Sequence, residues 1–219
     1  MNVRTHTFGL RLQRDQLEEA IAAIFHTILF HRSLGKFRLI DDSAYVAGTL
    51  GYREVDCAAI DLTYIRCSSP SLERTVCNQI GCFAQQLCCS SGTLGNSGQL
   101  QLEFYQRRRK RWSYNQTGGI PWEIWSVQLE LVEELRDEAD RVELRDCLGD
   151  TLRETICSIA ELMGRNDYVP EVPCRTDLDA VYDTSYPDVQ PYLFQFRATN
   201  SMSSGFGTSV EKTLQKLMW

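Results

Sequence analysis

The segment 107–125 carries the residue types best suited to binding chemistry. Five successive cations, from Arg107 to Arg111, come before two large aromatics, Trp112 and Tyr114. Alternating apolar residues on either side predict two strands, so residues 107–120 are predicted to form an exposed hairpin. Large aromatics at a polar turn are rarely buried completely, and exposed aromatics within a polar rim usually mark a contact surface. We predict a finger that binds through Trp112 and Tyr114 and is supported by three arginines, Arg107, Arg109 and Arg111.

Three interpretations of this finger remain open from residue types alone. In the first, the aromatics fold back over the sheet and the arginines protect a strand edge from aggregation. In the second, the cations neutralise phosphates of acidic lipids or single-stranded nucleic acid while the aromatics insert or stack. In the third, Trp, Tyr and Arg are the energetic centre of a protein interface. The formal net charge of −6 argues against a general nucleic-acid binder.

The chain offers little for catalysis or for metal binding. Its nine cysteines form no Cys-x-x-Cys pair, and Cys77 and Cys82 approach zinc-ligand spacing without a matching second pair. His26 and His31 lie five residues apart, which is not the spacing that stacks two ligands on one helix face. No dinucleotide fingerprint, kinase signature or Ser-His-Asp arrangement is present. We predict no catalytic residue, no metal and no cofactor, and we interpret the cysteines as reduced and structural.

The periodicity of the chain predicts the elements that position these residues. Apolar residues three and four apart predict three helices: one from a cap at Asp15 to before Gly35, one from Pro70, and one over roughly 137–163. Alternation predicts strands between and after them. These strands are Phe8–Leu12, two short strands within 36–49, a longer strand over Val55–Cys67, two strands flanking the finger, and one over Val189–Phe196. The order predicts an α+β domain with a largely antiparallel sheet.

Trp122 and Trp125 belong to the strand that returns from the finger. They lie three residues apart, so a regular strand would place their side chains on opposite faces of the sheet. We interpret both as structural residues and distinguish them from Trp112. The acidic first half of the third helix is likewise given no binding or catalytic role, and we interpret it as a helix face exposed to solvent.

Short motifs run in a fixed order from one end of the chain to the other. They are Leu17-Glu-Glu-Ala, His31-Arg-Ser-x-Gly-Lys-Phe37, Ile60-Asp-x-Thr-Tyr64, Leu102-Glu-Phe-Tyr-Gln106, Ile120-Pro-Trp-Glu-x-Trp125 and Asp188-Val-Gln-Pro-Tyr-Leu193. Together they resemble the HORMA-domain family of autophagy-related protein one hundred and one, a subunit of the kinase complex that initiates autophagy. The resemblance implies a single HORMA domain over 1–219, with three helices on one side of a central, mainly antiparallel sheet. It also implies a belt-like region over about 164–219 in a permanently open form.

The resemblance further implies a non-catalytic adaptor. Such a subunit stabilises the HORMA domain of autophagy-related protein thirteen, and through it joins the initiating kinase and its scaffold subunits. Its finger, which corresponds to Trp112 and Tyr114, recruits downstream factors in autophagosome assembly. The family has Trp-Pro-Phe where this chain has Trp112-Ser113-Tyr114, so a backbone restraint is lost and a hydroxyl is gained. The alternative function is a peripheral module that binds acidic lipids or nucleic acid through the same hairpin.

Two further expectations concern the cellular location of the protein and its dimer interface. The amino terminus lacks the pattern of a signal peptide, and no apolar run reaches the ~20 residues that cross a bilayer, so we expect a cytoplasmic protein. The resemblance implies recruitment to autophagosome formation sites, is compatible with peripheral membrane contact, and implies no nucleic-acid partner. No motif marks the HORMA dimer interface. We nominate the acidic turn with Glu54 and Asp56, because polar residues there flank a well-patterned strand.

Overall fold

The computed structural model describes residues 3–40, 44–89, 97–107, 119–132, 137–165 and 168–200. Within these ranges the chain forms ten strands and four helices, together with two short 3-10 turns. The helices are α1 (Leu17–His31), α2 (Pro70–Cys89), α3 (Glu138–Met163) and the single-turn α4 (Leu178–Val181). The strands are β1 (Arg4–Leu12), β2 (Ser33–Gly35), β3 (Phe37–Leu39), β4 (Tyr45–Ala47), β5 (Tyr52–Asp56), β6 (Thr63–Cys67), β7 (Ser97–Gln106), β8 (Ile120–Leu131), β9 (Val189–Pro191) and β10 (Phe194–Asn200).

A four-stranded sheet in the order β1-β8-β7-β10 is the framework of the fold. β7 pairs antiparallel with both β8 and β10, whereas β1 lies parallel to β8. Three two-stranded sheets, β2-β9, β3-β4 and β5-β6, surround it. The α+β class and the mainly antiparallel central sheet are therefore confirmed, with one parallel pair at the β1 edge.

The helices pack on one side of this sheet. α1 is central: it contacts α2, α3 and β6, while α3 also packs on β1 and α2 on β7 and β10. Ten of the thirteen residues of α1 from Leu17 to Leu29 are buried, because its neighbours cover most of the helix surface. The buried side chains form one continuous core that joins the helices to the inner face of the sheet. The three long helices agree with the prediction, and α4 is an additional single turn.

One predicted strand is wrong, since Val55–Cys67 is a hairpin and not a single strand. β5 ends at Asp56 and β6 begins at Thr63, and the two pair antiparallel. The intervening turn is closed by the Cys57 amide, which donates to the Leu62 carbonyl over 2.9 Å. The apolar alternation misleads here because Ile60, a turn residue, is buried like the strand residues that follow it. Sequence periodicity reports burial, and it does not distinguish a buried turn from a strand.

Two smaller predictions also need correction. Asp15 lies inside a 3-10 turn and does not cap α1; Gln13 and Gln16 form a capping box in front of the helix. The predicted strand over Val189–Phe196 is divided between β9, which pairs with β2, and β10, which pairs with β7. In contrast, α2 begins at Pro70 as predicted, and Asp137 caps α3 by accepting from the Ala139 amide.

All nine cysteines lie in the described residues, and no disulfide joins them. Cys67 is the most deeply buried, and burial raises the pKa of its thiol to about 11. Such a thiol stays protonated and behaves as a small apolar side chain. Six of the nine thiols are exposed, so the interpretation of the cysteines as structural does not hold for most of them.

Replacement of His26 by phenylalanine is predicted to remove part of the acid sensitivity of the fold. His26 is buried in α1 and stacks on Tyr64, and its pKa is lowered to about 4 by burial and by the charge of Arg66. The folded-state pKa lies below the unfolded value of about 6.5, so this stability is complete above pH 6.5 and is lost as the pH falls towards 4. Relative to the parent protein, His26→Phe should gain up to about 3 kcal/mol across this window, at about 1.4 kcal/mol per pH unit.

Urea unfolding at about pH 7.5 and about pH 4.5 measures this difference. Exposed His31 supplies the matched control, because His31→Phe removes an imidazole that the core does not enclose. Burial and the charge of Arg32 lower the pKa of His31 as well, so this control should lose some acid sensitivity, but less than His26→Phe. An unchanged acid sensitivity in His26→Phe would show that this imidazole does not limit stability.

Candidate functional site

The predicted finger lies between two strands whose positions are well defined. β7 and β8 pair antiparallel, and their last pair at this end joins Gln106 to Ile120. The flanking strands of the predicted hairpin are thus confirmed. Arg107 is the one predicted finger residue within the described chain; the others, Arg109, Arg111, Trp112 and Tyr114, lie outside the described residues. The geometry of the site is that of the finger root, which we define as residues 105–107 and 119–121.

Backbone hydrogen bonds fix the first limb of the finger root. The Tyr105 amide donates to the Leu193 carbonyl over 3.0 Å, and the Arg107 amide donates to the Ala180 carbonyl over 2.8 Å. The Arg107 side chain is exposed and reaches the Asp179 carbonyl at 3.5 Å. Arg107 therefore holds the end of β7 mainly through its backbone.

A close contact fixes the second limb. Gly119 passes so near Tyr105 that a Cβ atom at this position would overlap the tyrosine ring. Tyr105 also pairs with Pro121 across the strands. A side chain at residue 119 would push the two limbs apart, so the glycine is required by the packing at this point.

A β-bulge at the finger root changes the predicted orientation of the tryptophans. Phe104 pairs with Glu123 while Tyr105 pairs with Pro121, so Trp122 is an extra residue in β8. Its ring packs 5.5 Å from Phe104 and 5.3 Å from Tyr192, on the same inner side as Trp125. The predicted burial of both tryptophans is confirmed at 1% and 0% exposure. Their predicted placement on opposite faces is wrong, because the bulge turns Trp122 inwards.

A buried ion pair occupies the inner face beside this bulge. Arg32, which caps the end of α1, donates from Nε to Glu123 Oε2 over 2.7 Å and from Nη2 to Oε1 over 2.9 Å. The Tyr168 hydroxyl also donates to Glu123 Oε1 over 2.6 Å. The side chains of Arg32 and Glu123 are 3% and 0% exposed. Tyr168 is half-buried, and we call the three residues the buried triad after their buried charge pair.

The surroundings of the buried triad keep Arg32 charged and the Tyr168 hydroxyl protonated. Burial by itself lowers the pKa of Arg32, but the hydrogen bond and the charge of Glu123 outweigh it and the net pKa is raised. Burial and the hydrogen bond to Glu123 raise the pKa of Tyr168 to about 12, so its hydroxyl remains a donor. The Arg4 guanidinium lies 4.5 Å above the Tyr168 ring and adds a cation–π contact.

The nominated dimer residues lie in a different sheet from the finger root. Glu54 and Asp56 are exposed on β5, which pairs with β6 and packs through it against α1. Asp56 accepts a hydrogen bond from Thr63 Oγ1 over 2.6 Å, and the Glu54 side chain points to solvent. Glu54 and Asp56 therefore lie in a different sheet from the strand that leads to Arg107, the described residue of the finger set.

Comparison with known proteins decides the family. The family model described as Autophagy-related protein 101 matches residues 9–176. The chain is similar to Autophagy-related protein 101 of Homo sapiens, with 40% identity over 220 residues that cover 100% of this chain and 97% of that protein. The protein of the same description from Rattus norvegicus is 39% identical over 218 residues, with the same two coverages. The one from Arabidopsis thaliana is 20% identical over 224 residues, covering 94% of this chain and 91% of its own length.

The chain belongs to the autophagy-related protein 101 family. This membership gives it a role in autophagy and is consistent with a protein that is not an enzyme. Within the described residues, no cluster of three or more His, Cys, Asp or Glu side chains is arranged to hold a metal ion. None of the helices in the part of the chain that the structure describes is both long and apolar enough to cross a bilayer.

The buried triad is the feature of this family member that sequence reasoning missed. Glu123 occupies an inward position in the alternation that continues through Trp125 and Val127. A carboxylate at an inward strand position indicates a buried partner, since an unpaired buried charge is very costly. That signal was present in the sequence. The identity of the partner was not, because Arg32 is 91 residues away and Tyr168 follows α3.

Breaking the buried triad is predicted to destabilise the protein strongly. Glu123→Gln removes the negative charge while keeping the shape, so Arg32 is left buried without its counterion. The expected loss is about 3–5 kcal/mol of unfolding free energy, measured by urea denaturation. The exposed pair of Arg153 and Asp61, 3.1 Å apart, supplies the control, and Asp61→Asn should cost less than about 1 kcal/mol. Equal small losses in both variants would show that the buried pair contributes no more than a surface one.

Proposed function

We propose that this protein is a non-catalytic adaptor in autophagosome assembly and acts as a subunit of the autophagy-initiating kinase complex. It folds as one HORMA domain, stabilises the HORMA domain of autophagy-related protein thirteen, and recruits downstream factors through its finger. It joins the kinase and its scaffold subunits through that partner, and it works in the cytoplasm and at autophagosome formation sites. Trp112 and Tyr114 bind the downstream factors, and Arg107, Arg109 and Arg111 support them. Family membership is the starting point of this proposal.

The observation that carries the proposal is the construction of the finger root. Several structural features meet at residues 105–107 and 119–121, on either side of the finger. They are a long two-stranded ladder, a bulge, two backbone hydrogen bonds to residues 180 and 193, and the close contact of Gly119. Ordering backbone is costly, at about 1–2 kcal/mol per residue. A rigid platform below a segment that contains two large aromatics and a run of cations supports a role in protein recognition, where such residues dominate the binding energy.

The β5–β6 hairpin supports the second, partner-stabilising surface. Tyr52 is 61% exposed on β5, next to exposed Arg53 and Glu54. Within the part of the chain that the structure describes, β5 pairs with β6 alone, so its other edge presents open backbone groups. An open strand edge with large aromatic and charged side chains is suited to association with another sheet. This edge is the HORMA dimer face that we propose, with Glu54 and Asp56 as its acidic residues.

Alanine replacement of both finger aromatics tests the recruiting role. Trp112→Ala with Tyr114→Ala should leave the thermal unfolding midpoint and binding to the partner HORMA domain unchanged, because neither residue is needed at the finger root. Capture of downstream autophagy factors in a pull-down should fall at least tenfold, as expected when two central aromatics are lost (about 2 kcal/mol or more). Val142→Ala, at an exposed apolar residue of α3, is the matched control and should retain full capture.

Salt separates this function from lipid or nucleic-acid binding. Vesicles that contain an anionic phospholipid and a single-stranded oligonucleotide serve as the phosphate probes. Contacts between several cations and phosphates weaken by orders of magnitude between about 50 and about 200 mM salt, whereas aromatic anchoring persists. Finger-dependent capture of protein should therefore survive the higher salt. Strong, salt-sensitive binding to either probe that also requires Trp112 and Tyr114 would favour the peripheral module instead. Unfolding of the double alanine variant would indicate that both aromatics belong to the core.

Charge reversal tests the proposed dimer face. Glu54→Lys with Asp56→Lys places two cations on the open edge of β5 and should lower binding to the partner HORMA domain at least tenfold, measured by titration calorimetry. The matched control reverses two exposed acidic residues elsewhere, Glu130→Lys with Glu161→Lys, and produces the same change in net charge. Undiminished binding by the first variant, or equal loss in both, would remove Glu54 and Asp56 from the interface.

A further inference from the structure

The buried triad stands where β8 leaves the finger root. Glu123 follows Ile120, the first residue of β8, by three positions, and the bulged residue Trp122 lies between them. Its carboxylate accepts three of the four hydrogen bonds within the triad, at 2.6, 2.7 and 2.9 Å. Arg32 also lies over the Trp122 ring, with 5.8 Å between the guanidinium carbon and the ring centroid. The charged group and the bulge are therefore one packed unit.

The buried triad ties the register of the bulge to the fixed end of α1. A slip of β8 by one residue would turn Glu123 to the opposite face of the sheet. Arg32 would then remain buried without a counterion, which is among the costliest changes that a core can undergo. A two-point bond from a guanidinium to a carboxylate is also directional, so it defines one geometry where apolar packing tolerates several. The position of the bulge is thus set by charge.

The segment after α3 couples the triad to the other limb of the finger root. Tyr168 donates to Glu123 and accepts from Arg32 Nη2 over 3.1 Å. Further along the same segment, the carbonyls of Ala180 and Leu193 accept from the amides of Arg107 and Tyr105. The Tyr192 amide closes the set by donating to the Arg32 carbonyl over 3.0 Å. Both limbs of the finger root are therefore held by residues 168–193 and by Arg32.

We propose that Arg32, Glu123 and Tyr168 are positioning residues for the finger: they fix the direction in which residues 108–118 leave the sheet. They touch no binding partner and act through the bulge in β8 and the backbone bonds of β7. The inference rests on the recruiting function proposed for Trp112 and Tyr114, because direction matters only if the finger presents a surface. It assigns to a buried ion pair a role in recognition in addition to its role in stability.

Amide hydrogen exchange measures the proposed positioning directly. Tyr168→Phe removes one hydroxyl and leaves the pair of Arg32 and Glu123 in place, so the fold is retained. The exchange of the Tyr105 and Arg107 amides should become at least tenfold faster, as expected for local opening after loss of the two hydrogen bonds between the hydroxyl and charged groups. Amides in the middle of α2 and the urea midpoint should change little. Glu123→Gln should accelerate the same two amides further, in addition to the general loss of stability predicted for it above.

The pair of Glu103 and Arg197 supplies the matched control. Glu103 is also a buried carboxylate of the same sheet, and it accepts from Arg197 Nε over 2.9 Å and from Gln195 Nε2 over 2.8 Å. This pair joins β7 to β10 next to the bulge, but Glu103 pairs with Ile124 and so lies on the opposite face of the sheet from Glu123. Because its side-chain hydrogen bonds reach neither the triad nor residues 180 and 193, Glu103→Gln should leave the Tyr105 and Arg107 amides protected. Equal acceleration in this control, or uniform acceleration across the chain in Tyr168→Phe, would reduce the triad to a general stabiliser and overturn the proposal.

A second readout distinguishes this inference from the function on which it rests. If the finger recruits and the triad positions it, Tyr168→Phe should weaken capture of downstream factors several-fold while binding to the partner HORMA domain is kept. If Trp112→Ala with Tyr114→Ala leaves capture intact, the recruiting function fails whatever the exchange data show. If that double variant loses capture but Tyr168→Phe, with its faster exchange, captures fully, the positioning role alone fails.

Discussion

The bond between Arg32 and Glu123 is the constraint on which the rest of this structure depends. It joins the carboxyl end of α1 to the beginning of β8, beside the bulge. Tyr168 connects the segment after α3 to the same carboxylate. Two charges in a core cost several kcal/mol each in lost hydration, and the cost is offset only when the hydrogen-bond geometry is complete. Here each carboxylate oxygen is occupied by a donor. The geometry of helix, strand and following segment must therefore agree at one place.

That agreement explains why the helical and sheet layers meet as they do. α1 contacts α2, α3 and β6 and ends at its cap residue, Arg32. The Arg32 carbonyl accepts a hydrogen bond from the Tyr192 amide, just before β10 begins. β10 then joins the edge of β7, and the carbonyls of Ala180 and Leu193 hold the end of β7. A single residue at the end of one helix thus orders the last described strands of the chain. The apolar core supplies most of the free energy, while the charged group selects one arrangement of the layers.

Hydrophobic periodicity predicted the helices and strands whose pattern is regular along their whole length. It failed where a buried turn or a β-bulge interrupts the pattern. The stripe of α2 from Leu72 to Leu87, the length of α3 and the flanking strands of the finger followed from period alone. The turn after β5 was missed because Ile60 continues the burial pattern through a reversal of the chain. The inward position of Trp122 was missed because a bulge adds one residue, and local sequence does not show where the partner strand will skip. The partners of Glu123 required the tertiary fold.

We propose different roles for the finger residues, which bind, and for the buried triad, which positions the finger. Affinity for a recruited protein depends on which side chains residues 108–118 present, and here the chain carries Trp112-Ser113-Tyr114 in place of the Trp-Pro-Phe of the resembled pattern. Loss of the proline removes a local restraint on the backbone, so more of the ordering must come from elsewhere. We propose that the finger root supplies it, through β7, β8 and the buried triad. On this proposal, Ser113 in place of a proline increases the dependence of recognition on the buried triad.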